Sequence, residues 1–183
     1  MYKIFLVFLS LGIFQLFAAD DKVLNIQYSE PYQNTQTITN DNSNDSDMDN
    51  VLNDYDKCPS TPDGVCVDAD GCTQKVKRTI NFTSSSYLLD KEFEDKLRNI
   101  IEIAQECFGY KILITGHTDS TADEKFNKQL SKLRATTINK IFLLNNINPD
   151  RITIKWFGES KPKASNITKE GRFENRRVEI VFY

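Results

Sequence analysis

The stretch Ile114-Thr115-Gly116-His117-Thr118-Asp119-Ser120 places a polar loop directly after an apolar strand. The strand is predicted over residues 110–115 and ends at Gly116. Asp119 then lies in a loop just past the strand end, where its carboxylate can face outward. The stretch therefore indicates a polar site at one end of a sheet.

Two amphipathic helices flank this strand in the sequence. Asp90 is the predicted N-cap of the first helix, and Asp123 and Glu124 favour the start of the second. In both helices the apolar residues recur mainly at steps of three and four, which indicates one buried side. The first set is Phe93, Leu97, Ile100, Ile101, Ala104 and Phe108. The second set is Phe126, Leu130, Leu133, Thr137, Ile138, Ile141 and Leu144.

Three further strands complete the predicted unit. Their apolar residues stand at even spacing and are Val76, Ile80 and Phe82, then Ile152, Ile154 and Trp156, then Val178, Ile180 and Phe182. The polar segment 160–175 between the last two strands contains a short helical turn. The order βαβαβ-(short α)-β predicts an α/β (α+β) two-layer sandwich. Its two main helices would pack on one face of a small mixed four-stranded sheet.

The first 19 residues of the 183-residue chain have the pattern of a secretory signal peptide. Lys3 precedes an apolar stretch over residues 4–17 that is too short to span a bilayer comfortably, and Ala18 and Ala19 follow where signal peptidase would cut. An uncleaved membrane anchor is the alternative. Export predicts a periplasmic location, associated with the cell wall and the outer membrane of a Gram-negative cell.

Charge divides the remaining chain into two parts. Residues 20–75 carry 3 basic and 12 acidic residues, net −9, whereas residues 76–183 carry 19 basic and 14 acidic residues, net +5. For an exported protein, a basic domain favours a negatively charged wall or membrane surface over nucleic acid. Residues 20–44 lack apolar periodicity, which predicts a disordered polar spacer. That segment is also too short to supply the strands of an outer-membrane barrel.

The segment 45–75 is acidic and contains a candidate calcium site. Its carboxylates and one amide stand at spacings of two, two, four and three, and they are Asp45, Asp47, Asp49, Asn53 and Asp56. Ca²⁺ takes six to eight oxygen ligands, and alternate carboxylates on a turned loop supply them. A solvated acidic linker without metal is the alternative. The four cysteines point to disulfides, because the periplasm is oxidising, and sequence alone leaves three connectivities open.

The order of residues in this segment resembles the thrombospondin type 3 repeat. The resemblance rests on Asp56-Lys57-Cys58-Pro59-Ser60-Thr61-Pro62 and on Val67-Asp68-Ala69-Asp70-Gly71-Cys72. It implies calcium binding and a Cys58–Cys72 disulfide, which would leave Cys66 and Cys107 to pair with each other. The chain departs from the repeat by having Asn50 where a turn glycine is usual and Asn53 where an aspartate is usual.

The candidate binding residues are an acid in the loop after the strand and an arginine on the second helix. At 100° per residue, Arg134 is roughly 80° round from Phe126, on the shoulder of the predicted apolar stripe, and Asn127 is close to the same angle. A side chain on the shoulder of a buried stripe lies at the boundary with solvent, where it can line the rim of a groove. If Asp119 and Arg134 lie apart, they can bind the two ends of a zwitterionic ligand. The carboxylate of Asp119 would pair with the ligand ammonium, and the guanidinium of Arg134 would donate two hydrogen bonds to the ligand carboxylate. A structural ion pair between them is the alternative.

Residues 76–183 resemble the OmpA-like peptidoglycan-binding domain. The resemblance rests on the stretch quoted first, on Asn127, Leu130-Ser131 and Arg134-Ala135, and on Gly171-Arg172 with Asn175-Arg176-Arg177-Val178-Glu179. It implies that Asp119 and Arg134 bind the amino-acid end of diaminopimelate in the stem peptide. The other residues that it implies for the pocket are Phe82, Thr83, Thr118, Asn127, Leu130 and Arg177. Thr83 is a departure, because many relatives carry an acid there.

The sequence also bears on functions other than wall binding and on the roles of single residues. An enzyme is not expected, because the sequence shows no HExxH motif, no second histidine for a metal and no nucleophile beside a base. A calcium-dependent structural or adhesion module, or a flagellar-motility component, would use wall binding only as a tether. His117 is expected to pack or to bond within a turn, Arg176 to lie on a solvated edge, and Arg177 to be equally suited to the edge or the pocket.

Overall fold

The computed structural model describes residues 13–16, 24–27, 44–89 and 93–183. The elements are β1 Ile13–Leu16, β2 Leu24–Gln27, β3 Val76–Asn81, α1 Glu94–Glu106, β4 Ile112–Gly116, α2 Glu124–Leu144, β5 Ile152–Trp156, α3 Lys169–Asn175 and β6 Arg177–Phe182. A 3₁₀ turn, Pro149–Arg151, precedes β5. Within the described part of the chain, no helix combines the length and the apolar character needed to cross a membrane.

Residues 1–39 form a unit of their own, separate from residues 40–183. In it, β1 and β2 pair antiparallel, with Ile13 opposite Gln27. The sequence predicted no strand here, since β1 falls in the predicted signal peptide and β2 in the predicted spacer. Apart from residue 44, the other residues of those two segments, and the predicted N-cap Asp90, lie outside the described residues.

The second unit contains the predicted two-layer sandwich. Its sheet has the order β3-β6-β4-β5, in which β6 pairs antiparallel with both β3 and β4, and β4 pairs parallel with β5. The fully buried strand residues are Ile80, Ile112, Ile114, Val178, Ile180 and Phe182. The mixed four-stranded sheet with two main helices and a short third helix confirms the predicted fold class.

Helix α1 is buried through Leu97, Ile100, Ile101 and Ala104, as its periodicity predicts. Phe108 does not belong to that buried stripe, because α1 ends at Glu106 and the Phe108 side chain is 57% exposed. The prediction for Phe108 was wrong because helical periodicity no longer applies past the end of a helix.

The buried face of α2 differs from the predicted one. Phe126 is 46% exposed and Leu144 is 54% exposed. Leu130, Ile138 and Ile141 are buried as predicted, and the residues buried beside them are Asn127, Ser131, Arg134, Ala135 and Phe142. A Cβ at Gly116 would collide with the carbonyl oxygen of Ser131, so the missing side chain lets α2 approach β4 closely on its small, polar side. The observed face is rotated by roughly 80° from the predicted one.

The acidic linker packs against the domain. The two disulfides are Cys58–Cys72 and Cys66–Cys107, the pairing that the repeat resemblance implied. The second disulfide joins the linker to the residue after α1. Beside it, the Gly109 N–H donates to the Gly64 carbonyl at 2.6 Å, and the Tyr110 hydroxyl lies 2.6 Å from the Cys66 carbonyl. The linker is therefore attached to the domain by a covalent bond and by hydrogen bonds.

Candidate ligand-binding site

Asp119 lies three residues past the end of β4 and is only 6% exposed. Its Oδ2 accepts a hydrogen bond from Arg176 Nη1 at 2.9 Å, and its Oδ1 accepts one from the Thr121 N–H at 3.2 Å. Burial raises the pKa of Asp119, but the hydrogen bonds from Arg176 and Thr121 outweigh burial and hold the pKa below its ordinary value. Asp119 is therefore a carboxylate at neutral pH.

Arg134 is fully buried, so its predicted place on the rim of a groove was wrong. Its guanidinium donates to three main-chain carbonyls, from Nε to Ser86 at 2.8 Å, from Nη1 to His117 at 3.0 Å and from Nη2 to Thr83 at 3.0 Å. It also lies over the Phe82 ring, 5.2 Å from the centroid. These contacts compensate the cost of removing the charge from water. A helical wheel assigns charged residues to the exposed side and takes no account of such partners.

Arg134 remains charged and has donors to spare. Desolvation lowers its pKa to about 10, and the nearby Asp119 carboxylate opposes that shift. A guanidinium has five N–H groups, and the three carbonyls above use three of them. Among the residues that the structure describes, no acceptor bonds the remaining N–H on Nη1 or on Nη2. Two N–H groups of Arg134 are therefore left for a ligand, and at 0% exposure they reach one only after neighbouring groups move aside.

The ion pair of Asp119 is with Arg176 and not with Arg134. The Arg176 side chain is 15% exposed, so its predicted place on a solvated edge was wrong. Arg177, which was predicted to help shape the pocket, pairs at 2.7 Å with Glu179 on the same strand. Arg176 precedes β6 as the C-cap of α3, whereas Arg177 is the first residue of β6. Of the two arginines, Arg176 is therefore the one that contacts Asp119.

The remaining predicted residues surround this group in different ways. Phe82 is fully buried beneath Arg134, and Thr83 is exposed but binds Arg134 through its carbonyl. Asn127 donates to the Ala122 carbonyl at 2.8 Å and also bonds the Glu159 carboxylate, so it fixes the loop that follows Asp119. Leu130 is 6% exposed.

Thr118 and His117 are buried polar residues with incomplete hydrogen bonding. Thr118 is 2% exposed, and its Oγ1 has no partner among the described residues, nor has His117 Nδ1. The His117 ring stacks on Phe157 with centroids 5.8 Å apart, which agrees with the predicted packing role. Burial, and after it the positive charge of Arg177, lower the pKa of His117 to about 4, against the opposing effect of Glu179.

The depressed pKa of His117 predicts a loss of stability in mild acid. The unfolded imidazole takes up a proton below about pH 6.5, whereas the folded one does so only near pH 4. Stability is therefore lost as the pH falls through this window, by about 2 kcal/mol between pH 7 and pH 4.5. Urea unfolding of wild type and His117→Phe at both pH values measures the difference. Equal pH dependence in the two proteins would contradict the prediction, since Glu179, whose pKa falls from 4.5 to about 2 on folding, is present in both proteins and cancels in the comparison.

Residues missed in the sequence include Ser86, which holds Arg134, and Arg176, which holds Asp119. Arg176 lies between α3 and β6 as the C-cap of α3, so neither helical periodicity nor strand alternation indicates its contact with Asp119. No local pattern indicates that Ser86 contributes its carbonyl to an arginine 48 residues away. That contact depends on tertiary packing.

The acidic linker brings together three of its predicted metal ligands. Oxygens of Asp45, Asp47 and Asp49 lie within 4.8 Å of one another. Asp47 Oδ1, Asp49 Oδ2 and Asp56 Oδ2 are buried and have no hydrogen-bond partner among the described residues. Asn53 differs, since its Oδ1 accepts from the Ser46 N–H at 3.1 Å.

The backbone of the linker accommodates this cluster. Gly71 has a φ of +75°, and a Cβ there would collide with Asp56 Oδ1 and lie 3.2 Å from Asp49 Oδ2. Asn50, which stands where the repeat usually has glycine, has a φ of +72°, a left-handed conformation that asparagine tolerates better than most residues. The departure at Asn50 therefore preserves the turn.

The fold and the site together define a two-layer α/β domain that presents one carboxylate beside two guanidinium groups. The chain belongs to the OmpA family, whose profile matches residues 81–176, just over half of the chain.

Comparison with known proteins gives three further likenesses. The chain is 34% identical over 142 residues to outer membrane porin F of Pseudomonas aeruginosa, covering 74% of this chain and 40% of that protein. It is 36% identical over 85 residues to the peptidoglycan-binding protein ArfA of Mycobacterium bovis, covering 46% of this chain and 26% of that protein. The chain thus spans well under half the length of either relative.

A likeness in structure agrees with these relatives. The cell wall anchor of the type VI secretion system (T6SS) from Pseudomonas aeruginosa superposes with a TM-score of 0.53 and 28% sequence identity. The match covers 62% of this chain and 84% of that chain.

Proposed function

We propose that this protein binds peptidoglycan without performing chemistry on it, and that it recognises diaminopimelate in the stem peptide. The observation that carries the proposal is the fully buried guanidinium of Arg134, which has two N–H groups to spare and lies near the ionised Asp119. Relatives that are themselves described as peptidoglycan-binding or as a cell wall anchor support it.

Asp119 and Arg134 each bind one of the two charged groups at the amino-acid end of the ligand. The ligand ammonium bonds the carboxylate of Asp119, which has acceptor sites left beside those used by Arg176 and Thr121. The ligand carboxylate accepts the two remaining N–H groups of Arg134. Neither step forms or breaks a covalent bond. The protein then acts as an anchor in the periplasm, holding itself or its envelope partners to the wall.

The prediction that tests this site concerns Asp119. Asp119→Asn keeps the shape of the side chain but removes the charge that meets the ammonium, at a cost of at least about 2 kcal/mol, or roughly 30-fold in affinity. Co-sedimentation with purified diaminopimelate-type sacculi, and calorimetry with a soluble stem peptide, measure the loss.

Asp150→Asn is the matched control, since Asp150 is exposed on the 3₁₀ turn before β5. It should bind like wild type. Circular dichroism of each variant shows whether the fold is retained. If folded Asp119→Asn protein sediments with sacculi as fully as the Asp150→Asn control, the proposed site is wrong.

We also propose that the linker binds Ca²⁺ through Asp45, Asp47, Asp49 and Asp56, with Asn53 supporting the loop. The specific support is the set of three buried carboxylate oxygens without hydrogen-bond partners among the described residues. Carboxylates so close together repel one another, and a hard cation with six to eight oxygen ligands relieves that repulsion. Calcium would then stiffen the spacer between the N-terminal segment and the wall-binding domain.

Calcium is expected to stabilise the linker against unfolding and proteolysis. At a free Ca²⁺ concentration 100 times the Kd, the gain is about 2.7 kcal/mol. Thermal unfolding and limited proteolysis of the full chain, in Ca²⁺ and after chelation, measure it.

Asp49→Asn should abolish the calcium effect, whereas Asp63→Asn, an exposed linker position outside the cluster, should keep it. A melting temperature and a cleavage pattern that calcium leaves unchanged in the wild type would exclude this site.

A further inference from the structure

Arg176 is held at the binding site by contacts on two sides. Its Nη1 donates to Asp119 Oδ2 at 2.9 Å, and its Nε donates to the Phe82 carbonyl at 3.1 Å. Phe82 is also the residue whose ring lies beneath Arg134. The two guanidinium groups are close enough for the charge of Arg176 to lower the pKa of Arg134. Arg176 and Arg134 therefore belong to one cluster around Phe82 and Asp119.

The donors of this cluster outnumber its acceptors. Arg176 uses two of its five N–H groups in the contacts above, and Arg134 uses three of its own. Five N–H groups on two cations are thus left without an acceptor among the described residues. Asp119 is the carboxylate that pairs with this cluster, so the cluster has a net charge of +1.

A partly buried excess of positive charge selects for a ligand with a negative group. A zwitterionic ligand leaves the net charge of the cluster unchanged, and its carboxylate can accept from both arginines. A ligand with an ammonium and a carboxamide raises the net charge to +2 and offers a weaker, neutral acceptor. Because charges interact strongly where water is largely excluded, the second ligand should bind much more weakly.

We propose that Arg176 is a specificity-determining residue that, together with Arg134, makes the site select a free carboxylate over a carboxamide on the bound amino-acid end. This inference rests on the proposed function, because it concerns the ligand of the same site. It assigns to Arg176 a role in the choice of ligand in addition to its contact with Asp119.

The experiment compares two soluble stem peptides that differ at one group. In one, the diaminopimelate carries a free carboxylate at its amino-acid end, and in the other the same carbon carries a carboxamide. Calorimetry gives the affinity of the full chain for each peptide, and the ratio of the two affinities is the measured quantity. The proteins are wild type, Arg176→Met, Arg176→Lys and Arg98→Met. Arg98→Met is the matched control, since the Arg98 side chain on α1 is 43% exposed and pairs at 3.5 Å with Asp95.

Wild type and Arg98→Met should favour the free carboxylate by about 100-fold, because the amide leaves a net charge of +2 in the partly buried cluster. Arg176→Met should reduce that ratio at least 5-fold. Arg176→Lys keeps the positive charge but lacks the planar pair of N–H donors of a guanidinium, so it should give an intermediate ratio.

The ratio separates selection from a merely structural role. If Arg176 only positioned Asp119, its loss would weaken both peptides equally, and an unchanged ratio in Arg176→Met and Arg176→Lys would overturn the inference. A wild-type ratio near one would overturn it too. Wild type that binds neither peptide would instead contradict the proposed function itself.

Discussion

Replacing Arg134 by methionine is expected to lower the free energy of unfolding by about 3 kcal/mol and to abolish binding to sacculi. Methionine fills a similar volume but donates no hydrogen bond. The carbonyls of Ser86, Thr83 and His117 would then lose the guanidinium that they contact. A buried polar group without a partner costs about 1–3 kcal/mol, and relief of the buried charge offsets part of the sum.

Urea unfolding at neutral pH measures the stability of this variant, and co-sedimentation with sacculi measures its binding. Lys140→Met on the same helix is the control, because Lys140 is exposed and its replacement should change stability by less than about 0.5 kcal/mol. An Arg134→Met protein as stable as the Lys140→Met control would show that the three carbonyls do not need the guanidinium. Sedimentation like wild type would exclude Arg134 from the binding site.

Removing the Cys66–Cys107 disulfide is expected to destabilise the protein by about 4 kcal/mol. The bond joins residues 41 positions apart and so restricts the unfolded chain strongly. It also connects the linker to the end of α1. A Cys66→Ser, Cys107→Ser double variant should therefore unfold more easily and expose residues 45–75 to protease.

The second disulfide provides a control within the same chain. Cys58–Cys72 closes a shorter loop of 14 positions that lies wholly inside the linker. Its removal should loosen the linker but leave the unfolding transition of residues 76–183 nearly unchanged. Equal effects of the two double variants on that transition would contradict the proposed coupling of linker and domain.

The sheet was predictable because its alternating residues are both apolar and buried. Val178, Ile180 and Phe182 follow a period of two in the sequence and are fully buried in the structure. The buried face of α2 was less predictable, since periodicity assigns the core to apolar side chains. Periodicity could not show that Gly116 lets α2 pack its small, polar side against the sheet. Phe126 was therefore placed in the buried stripe and Arg134 on its shoulder, whereas the structure exposes Phe126 and buries Arg134.

Of the candidate site, Asp119 was predictable from the sequence, whereas the places of Arg134 and Arg176 were predictable only in part. Asp119 follows a strand end, and that local position already indicates a loop and a polar role. Arg176 was misjudged because a charged residue before the last strand normally belongs to a solvated edge. The calcium ligands were suggested by spacing and by the resemblance to the thrombospondin type 3 repeat, and calcium binding stays a prediction.

The sequence by itself determined the order of the strands and helices and the position of Asp119 at a strand end, because these depend on short-range periodicity. Only the tertiary structure decided that Arg134 is buried and that Arg176, not Arg177, pairs with Asp119. A buried charge is stable only if distant groups satisfy it, and the carbonyls of Thr83 and Ser86 lie 51 and 48 residues from Arg134. No local pattern records such partners, because the fold alone brings them together.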